Sequence, residues 1–359
     1  MGEAKKILCF IESLEAGGAQ RQLLFLVSLL KKKGYRPAIV TYYPNDFYAE
    51  ALASMGVEHI MLEVSGSKMK RFAAFRRVIK DEAPHCVVSF SESASMVLCA
   101  IRMFRRFRLI VSERNTTTQM SNMDRLRFQL YRWADCVVCN SHSQTQFMER
   151  ATPFLNAKTS TIINYLDTDQ FCPRQREGKS TAQKRLIVLA RIAPQKNVLR
   201  FIEALKMVRD DGYAVTVDWY GHPWEDYSAQ CQALIDKYRL GDLLRIHAPQ
   251  SHAERLYVEY DGCCLPSIYE GFPNVLGEAM SCGLPVLCGD VCDNRFLVGD
   301  NGNFVFNPYD ISDMKDKVEE FCRLDEEALL AIGARNRERA VGIFSSDEFV
   351  NKYIKLIES

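Results

Sequence analysis

Short apolar runs alternate with longer amphipathic segments along almost the whole chain. Runs in the first half predict strands at 6–11, 37–42, 59–62, 86–90, 109–111 and 136–139. Further runs predict strands at 186–190, 214–219, 244–247, 262–265, 285–287 and 303–306. The segments between them have helical spacing, as at 19–33, which follows a Gly-Gly turn. Strands and helices that alternate at this spacing favour parallel sheets with helices on both faces, so the sequence predicts a doubly wound α/β fold.

The alternation is interrupted once, near the midpoint. The segment 171–185 is polar and contains Pro and Gly, which is typical of a linker. A chain of 359 residues can bury two cores of ordinary size. We therefore predict one domain over 1–170, a linker over 171–185, a second domain over 186–340, and a terminal helix over 341–359 that can pack back on the first domain.

Composition excludes some classes of function. The formal net charge is only +1, whereas general nucleic-acid binders usually carry a large basic excess, so no nucleic-acid partner is expected. The thirteen cysteines lie mainly inside apolar strand or helix patterns, which predicts free buried thiols. Cys136-Val-Val-Cys139 has redox or half-zinc spacing, but no second pair accompanies it.

The sequence also bears on location. It contains no apolar run long enough to cross a membrane, and it passes from Met1 into a strand pattern without a signal segment. These features predict a cytoplasmic protein.

Two glutamates stand at a strand-loop-helix junction in 262–286. Glu270 lies in the loop after the strand at 262–265, and Glu278 lies in a helix predicted over 273–282, with seven residues between them. Pro273 suits the first turn of that helix, and Gly283 with Pro285 ends it. Glu278 can accept two hydrogen bonds from a vicinal diol such as ribose. The backbone N–H groups at the start of the helix are expected to face an anion; they belong to Asn274, Val275 and Leu276.

Two cationic side chains follow another strand end. Arg191 and Lys196 come after the strand at 186–190 and precede a helix. In doubly wound proteins, ligands bind at the carboxyl ends of the strands. A guanidinium and an ammonium at such a place suit a diphosphate. The alternative is an ordinary surface pair.

Taken together, these segments resemble the E-x7-E and R-x4-K motifs of family 4 retaining glycosyltransferases. The resemblance covers nearly the whole chain and implies the GT-B fold, in which two Rossmann-like domains face each other across a cleft. It implies a nucleotide-diphosphate sugar, most simply a UDP-sugar, as the donor and a polysaccharide or lipid-linked oligosaccharide as the acceptor. It implies no cofactor, no metal and no protein nucleophile. Glu270, Arg191 and Lys196 would be the catalytic residues, and Glu278 would hold the ribose.

Other segments resemble the same family less closely. Gly17-Gly18-Ala-Gln-Arg21 is similar to the family's G-G-A-E-R loop, with Gln20 in place of the acid. The resemblance implies that Gly17, Gly18 and Arg21 face the donor phosphates. Gly221-His-Pro is similar to the G-D-G-P loop along the nucleotide, with a histidine in place of Asp.

The segment Glu113-Arg114-Asn115 follows a strand end of the first domain, on the acceptor side. These residues are candidates for contact with the acceptor or the reacting sugar. Glu113 and Arg114 can equally form an internal ion pair with a structural role.

Three rival interpretations stay open at this point. Asp167-Thr-Asp169 has the D-x-D spacing that holds a metal-bound diphosphate in the other large glycosyltransferase fold. The sequence around it, however, is similar to a turn of GT-B enzymes. A GT-B sugar-nucleotide epimerase would bind the same donor. A non-catalytic donor-binding subunit would also share the fold.

Basic residues cluster only in the predicted first domain. One cluster, within 68–80, has Met69, Phe72, Phe75 and Ile79 as an apolar helical face, and a second lies within 102–108. Such helices commonly pack on a sheet and leave their charges in water. Basic residues interleaved with apolar ones also suit an anionic membrane surface, so peripheral binding to the inner face of the cell membrane is a further prediction.

Overall fold

The computed structural model describes residues 4–15, 17–45, 47–64, 67–117, 119–174, 183–250 and 252–359. The described parts of Met1–Tyr165 and Ser346–Ser359 form one compact unit, and those of Leu166–Ser345 form another. The first predicted domain, 1–170, thus extends a few residues into the second unit. Within the predicted linker, 175–182 lies outside the described residues, and Lys184 and Arg185 already belong to a strand.

The first unit alternates strands and helices. In chain order they are β1 (Lys6–Phe10), α1 (Gly18–Lys32), β2 (Arg36–Thr41), α2 (Ala49–Met55), β3 (Glu58–Met61), α3 (Lys68–Glu82), β4 (Cys86–Ser89), α4 (Glu92–Arg102), β5 (Arg108–Glu113), α5 (Asn122–Leu130), β6 (Cys136–Cys139), α6 (His142–Ala151) and β7 (Thr159–Thr161).

The strands of this unit form one parallel sheet, in the order β3-β2-β1-β4-β5-β6-β7. Alternate residues of each buried strand face opposite sides, which divides the unit into two apolar cores. One core lies under α1, where Leu23, Leu26 and Val27 are fully buried. The other lies under α3, α4 and α5.

The second unit repeats the pattern with different lengths. Its elements are β8 (Lys184–Leu189), α7 (Val198–Asp210), β9 (Val215–Tyr220), α8 (Glu225–Tyr238), β10 (Leu244–His247), α9 (Ala253–Leu256), β11 (Gly262–Leu265), α10 (Asn274–Ser281), β12 (Val286–Gly289), α11 (Asn294–Val298), β13 (Phe304–Phe306), α12 (Ile311–Arg323) and α13 (Glu326–Ile343). Its strands are also parallel, in the order β10-β9-β8-β11-β12-β13. Two parallel α/β sheets confirm the predicted fold class.

The chain ends in the first unit. The terminal helix predicted over 341–359 is divided, because α13 ends at Ile343 and α14 (Ser346–Glu358) follows. Phe349, Val350 and Tyr353 of α14 are buried in the same core as α1. Among the described residues, no helix has both the length and the apolarity needed to cross a bilayer.

Candidate active site

The candidate donor-site residues follow the carboxyl ends of strands in the second unit. β8 pairs with β11, although the chain passes through β9 and β10 between them. The strand order therefore reverses between β8 and β11, and such a switch point is where doubly wound sheets bind ligands. Arg191 and Lys196 follow β8, while Glu270 follows β11, so all three lie in the loops on either side of this switch point.

Lys196 and Glu270 form an ion pair. The Lys196 Nζ lies 2.5 Å from the Glu270 Oε1, and the two side chains are only 14% and 10% exposed. Gln195 links the same two loops through its backbone carbonyl, which accepts from the N–H of Ile268, and through its side-chain amide, which donates to the Tyr269 carbonyl. These three contacts hold the two loops together.

Arg191 has a different environment. Its side chain is exposed and makes no ion pair with any residue that the structure describes. Its backbone is held in place, because the neighbouring Ile192 N–H donates to the His222 carbonyl and the Ile192 carbonyl accepts from the Trp224 N–H. The guanidinium is thus a cation on a fixed backbone with its donors available to an anion.

Gly221 is where these two strand-end loops touch. A Cβ at this position would stand 1.9 Å from the Ala190 carbonyl oxygen, so no other residue fits without moving the backbone. The glycine therefore sets how closely the loop after β9 approaches the loop that carries Arg191.

The start of α10 departs from the sequence-based expectation. We expected free N–H groups on Asn274, Val275 and Leu276, but the Asn274 N–H donates to the Phe272 carbonyl and the Leu276 N–H donates to the Pro273 carbonyl. The reason is a tight turn around Pro273, which uses the N–H groups of Asn274 and Leu276 for its own hydrogen bonds. Val275 is left with an N–H that has no acceptor among the described residues, so the helix start offers one donor to an anion rather than three.

Glu278 lies in the middle of α10 and is 4% exposed. The buried Tyr257 hydroxyl donates to its Oε2 at 3.2 Å and also lies 3.2 Å from the Val275 carbonyl oxygen. Burial, with the Glu278 charge second, raises the pKa of Tyr257 far above its usual range, so the phenol stays protonated and remains a donor. Tyr257 therefore orients the carboxylate assigned to the ribose.

The structure brings two residues to this site that the motifs missed. Tyr257 comes from a single helical turn that no strand end predicts. Cys292 follows β12 and has a left-handed backbone, with φ of 48°, and its Sγ accepts from the Glu270 N–H at 3.4 Å. Its position after a strand end was a signal that sequence reasoning left unused.

In the first unit, the Gly-Gly segment forms the start of a helix rather than a separate turn. Gly17 is extended and precedes α1, while Gly18 is already the first helical residue. No side chain caps this end, and the first turn carries no acidic residue. The helix start is therefore suited to an anion. Arg21 lies further along the helix, and its side chain is half-buried.

Glu113 and Arg114 do not pair with each other, because consecutive residues at the end of β5 face opposite sides of the sheet. Glu113 is fully buried, where it accepts from the Tyr131 hydroxyl at 3.0 Å and lies 3.5 Å from the Arg127 guanidinium. A carboxyl group this enclosed cannot contact an acceptor directly. Burial raises the pKa of Glu113 to about 8, and nearby Arg127 only partly offsets it.

Arg114 and Asn115 lie on the other side, in a pocket. The Arg114 guanidinium stacks on the Phe90 ring at 4.5 Å and donates to the Asn164 Oδ1 at 2.8 Å. Asn115 is exposed and donates to the Glu92 carboxylate at 3.0 Å. Both line one cavity of the first unit.

The D-x-D pair serves a turn. The Asp167 carboxylate accepts from the backbone N–H groups of Asp169 and Gln170, each at 3.0 Å. That capping role explains the aspartate without a metal.

The fold and the motifs together define a glycosyltransferase of the GT-B fold. Two family models match adjoining parts of the chain: "Glycosyltransferase Family 4" over 16–170 and "Glycosyl transferases group 1" over 171–339. The chain belongs to this family of glycosyltransferases, which confirms the resemblance drawn from its sequence.

The similar proteins include named glycosyltransferases. The chain is 24% identical to the amylovoran biosynthesis glycosyltransferase AmsD of Erwinia amylovora, over 84% of this chain and 88% of that protein. It is 26% identical to an Escherichia coli UDP-Gal:alpha-D-GlcNAc-diphosphoundecaprenol alpha-1,3-galactosyltransferase, over 54% and 52% of the two chains. The structure of Anabaena Alr3699/HepE in complex with UDP and glucose matches with a TM-score of 0.83 at 18% identity, over 99% and 100% of the chains, which shows a shared fold.

Proposed function

We propose that this protein is a retaining glycosyltransferase that moves a hexose from a UDP-sugar to a growing polysaccharide or lipid-linked oligosaccharide. The observation that carries the proposal is the Lys196–Glu270 ion pair at the switch point of the second sheet, with Arg191 in the same loop as Lys196. The relatives support the chemistry, because one is named for amylovoran biosynthesis and another for transfer from UDP-Gal to a diphosphoundecaprenol acceptor.

The proposed reaction needs no protein nucleophile. The acceptor hydroxyl attacks the anomeric carbon from the face that the diphosphate leaves, a bond forms between that oxygen and the sugar, and the bond to the phosphate oxygen breaks. The hydroxyl proton passes to the departing phosphate. Arg191, Lys196 and the Val275 N–H stabilise the negative charge that develops on the diphosphate.

The ion pair gives Glu270 and Lys196 linked tasks. Glu270 is assigned to the sugar hydroxyls and to the positive charge that develops at the anomeric carbon. Lys196, whose Nζ lies 2.5 Å from that carboxylate, balances its charge and can reach toward phosphate. Removal of the lysine would break the ion pair of a nearly buried carboxylate, which costs stability as well as activity.

Arg191 is therefore a better residue than Lys196 for testing the proposed function. Arg191→Ala should lower kcat/KM for a UDP-sugar by about 100-fold or more, the scale of lost charge stabilisation on a leaving group. The melting temperature should not change, because Arg191 is exposed and unpaired among the described residues. The donor for the assay is chosen by thermal stabilisation with UDP-glucose, UDP-galactose and UDP-N-acetylglucosamine.

Arg245→Ala is the matched control, since Arg245 is an exposed arginine on β10 of the same sheet. It should keep normal turnover. If Arg191→Ala also turns over normally, or if isomerised nucleotide sugar accumulates without any acceptor, the proposal is wrong.

We also propose that the protein works at the inner face of the cell membrane. A cytoplasmic enzyme that extends a lipid-linked acceptor has to hold its acceptor near the bilayer, and the first unit carries exposed basic and apolar side chains for that purpose.

A further inference from the structure

A pocket of the second unit opens at the opposite edge of the sheet from the donor-site loops. It is lined by Lys184, which begins β8, and by Asp261 and Pro285, which directly precede β11 and β12. The donor-site residues follow the other ends of these strands. β8 has six residues, and each advances the chain by about 3.3 Å, so the two edges are roughly 20 Å apart. The pocket is thus separate from the candidate active site.

The wall of this pocket is largely apolar. Leu284 and Leu329 are 8% and 5% exposed, and the half-buried Val258 lines the same space. The volume is about 220 Å³, which is less than the roughly 300–1,000 Å³ of sites for drug-sized ligands. A dry cavity of about 150 Å³ is large enough for benzene. The pocket therefore suits one ring or a short chain with a small polar group.

One cation lies within this apolar surrounding. Lys184 is 9% exposed, and its backbone is held in the sheet, where its N–H donates to the Ala214 carbonyl at 3.1 Å. Within the part of the chain that the structure describes, its ammonium makes no ion pair and no hydrogen bond. The Nζ is not fully enclosed, so it is accessible from the pocket. A nearly buried ammonium without a partner is costly, and an anion in the pocket would relieve that cost.

The other charged groups of the pocket are closer to water. Asp261 is half-buried, and its carboxylate already accepts from the Arg185 N–H at 2.7 Å. Glu326 is exposed in the first turn of α13, where solvent and salt screen its charge. Arg174 is exposed and makes no ion pair with another described residue, so it adds a second cation. The charge that is withdrawn furthest from water is that of Lys184, which favours an anionic ligand.

We propose that this pocket binds a small amphipathic carboxylate. The carboxylate pairs with the Lys184 ammonium, and the apolar body packs on Val258, Leu284 and Leu329. This binding site lies outside the donor site and does not depend on the proposed function.

The test compares phenylpropionate, phenylpropanol and phenylpropylamine, which share a terminal phenyl ring and a chain length and differ in the end group. Ligand-observed NMR titrations of the full chain are run at about pH 7, where the acid and the amine are both charged. Phenylpropionate should bind about 10-fold tighter than the alcohol or better, because it gains a charged hydrogen bond from a nearly buried ammonium. The amine should bind most weakly, because Lys184 repels it.

Lys184→Met removes the charge and keeps the apolar stem of the side chain. Its affinity for phenylpropionate should fall to that for phenylpropanol, and its melting temperature without ligand should not be lower than the parent's, because no ion pair is lost. Lys237→Met, at an exposed lysine on α8 of the same unit, is the matched control and should bind phenylpropionate as the parent does. If UDP fails to stabilise the parent, that result contradicts the proposed function and not this pocket.

A second measurement needs no variant. Cys172 lines the pocket and is half-buried, whereas Cys292 is exposed outside it. Burial raises the pKa of Cys282, the other thiol of the pocket, to about 12, so that thiol reacts slowly. Phenylpropionate at about ten times its dissociation constant should slow the alkylation of Cys172 by iodoacetamide about 10-fold and leave that of Cys292 unchanged. Peptide mass spectrometry follows both rates.

Four results would overturn the inference. They are equal binding of the acid and the alcohol, tightest binding of the amine, no binding of any probe, and alkylation of Cys172 that phenylpropionate does not slow. Unchanged phenylpropionate binding in Lys184→Met, or a lower melting temperature of that variant, would also overturn it, because Lys184 would then not be the unpaired anchor of the site.

Discussion

At the scale of single residues, the two glutamates around the start of α10 differ in what surrounds them. Glu270 faces a lysine in a loop at the switch point, whereas Glu278 is enclosed in a helix and oriented by a neutral phenol. The environment of Glu270 suits a place next to the positive charge that develops at the anomeric carbon. The environment of Glu278 suits a fixed carboxylate that holds the ribose diol.

We therefore expect the two glutamine variants to differ in kind. Glu278→Gln should weaken UDP binding, because an amide offers one acceptor oxygen instead of two, while Tyr257 can still donate to that oxygen. Glu270→Gln should lower kcat much more than it weakens UDP binding. Calorimetry with UDP and steady-state kinetics separate the effects, and an unchanged UDP affinity in Glu278→Gln would refute the ribose assignment.

Glu113 should make the stability of the protein depend on pH. Its folded pKa of about 8 lies above the ordinary value of 4.5, so the stability that it contributes is complete below pH 4.5 and is lost as the pH rises through 8. Each pKa unit corresponds to about 1.4 kcal/mol, so the loss can reach a few kcal/mol. Glu113→Gln should flatten the fall between pH 5 and about 8.

Urea unfolding at several pH values measures this effect. Glu50→Gln, an exposed glutamate of the same unit, should leave the parent's pH profile intact. A parent whose free energy of unfolding does not fall over this range would show that Glu113 is ionised in the folded protein.

The sequence predicted the positions of Arg191, Lys196 and Glu270 because strand ends in a parallel sheet meet at one edge. It could not predict which backbone donors stay free, since the turn around Pro273 uses the N–H groups of Asn274 and Leu276. Nor could it find Tyr257, because the contact with Glu278 depends on packing between segments that are distant in the chain.

At the scale of elements, the end of α10 depends both on its own backbone hydrogen bonds and on a close contact with α13. The Gly283 N–H donates to the Met280 carbonyl and the Leu284 N–H to the Ala279 carbonyl, the paired bonds of a Schellman motif. Gly283 has φ of 79°, which favours glycine. Its carbonyl oxygen then lies against Gly333 of α13, where a Cβ would stand only 1.9 Å away.

Gly333→Ala should therefore destabilise the protein by roughly 2 kcal/mol or more, because the clash is with backbone and forces α13 away from α10. Gly342→Ala in the same helix is the matched control. No atom lies within 4 Å of its Cβ position, so the alanine should stabilise α13 by up to about 1 kcal/mol. Chemical denaturation measures both, and the same sign for the two variants would contradict this packing.

Elements with strong apolar runs were predicted well, and those without them were missed. β7 reads Thr-Ser-Thr, which has no apolar signal, and it forms because β6 offers it an open edge. The boundary of the terminal helix was misplaced by a few residues: it was predicted to begin at residue 341, whereas α13 continues to Ile343 and α14 begins at Ser346.

At the scale of the whole molecule, the structure narrows the predicted membrane surface. Phe75 and Ile79 of α3 are buried against the sheet, so they are not available to lipid, whereas Met69 is 83% exposed. In the second cluster, Arg102 pairs with Asp135 and Arg108 donates to the Leu356 carbonyl, so both have structural roles. The residues left for a bilayer in this cluster are Met103, Phe104, Arg105 and Arg106.

The remaining exposed residues can be tested by binding to anionic lipid vesicles. Phe104 is 81% exposed beside Arg105 and Arg106, while Arg76 and Arg77 are exposed on α3. Each basic residue near an anionic bilayer contributes roughly 1 kcal/mol, and the attraction decays over about 8 Å at physiological salt.

The parent should therefore sediment with phosphatidylglycerol vesicles at low salt and be released at high salt. Arg105→Glu/Arg106→Glu and Arg76→Glu/Arg77→Glu should each lower the bound fraction, and Phe104→Ser should lower it at every salt concentration. Arg102→Glu is not an informative variant, because it breaks the ion pair with Asp135 and can act through folding. If the parent stays in the supernatant, or if both charge reversals sediment as the parent does, these side chains are ordinary solvated surface and a soluble acceptor is favoured.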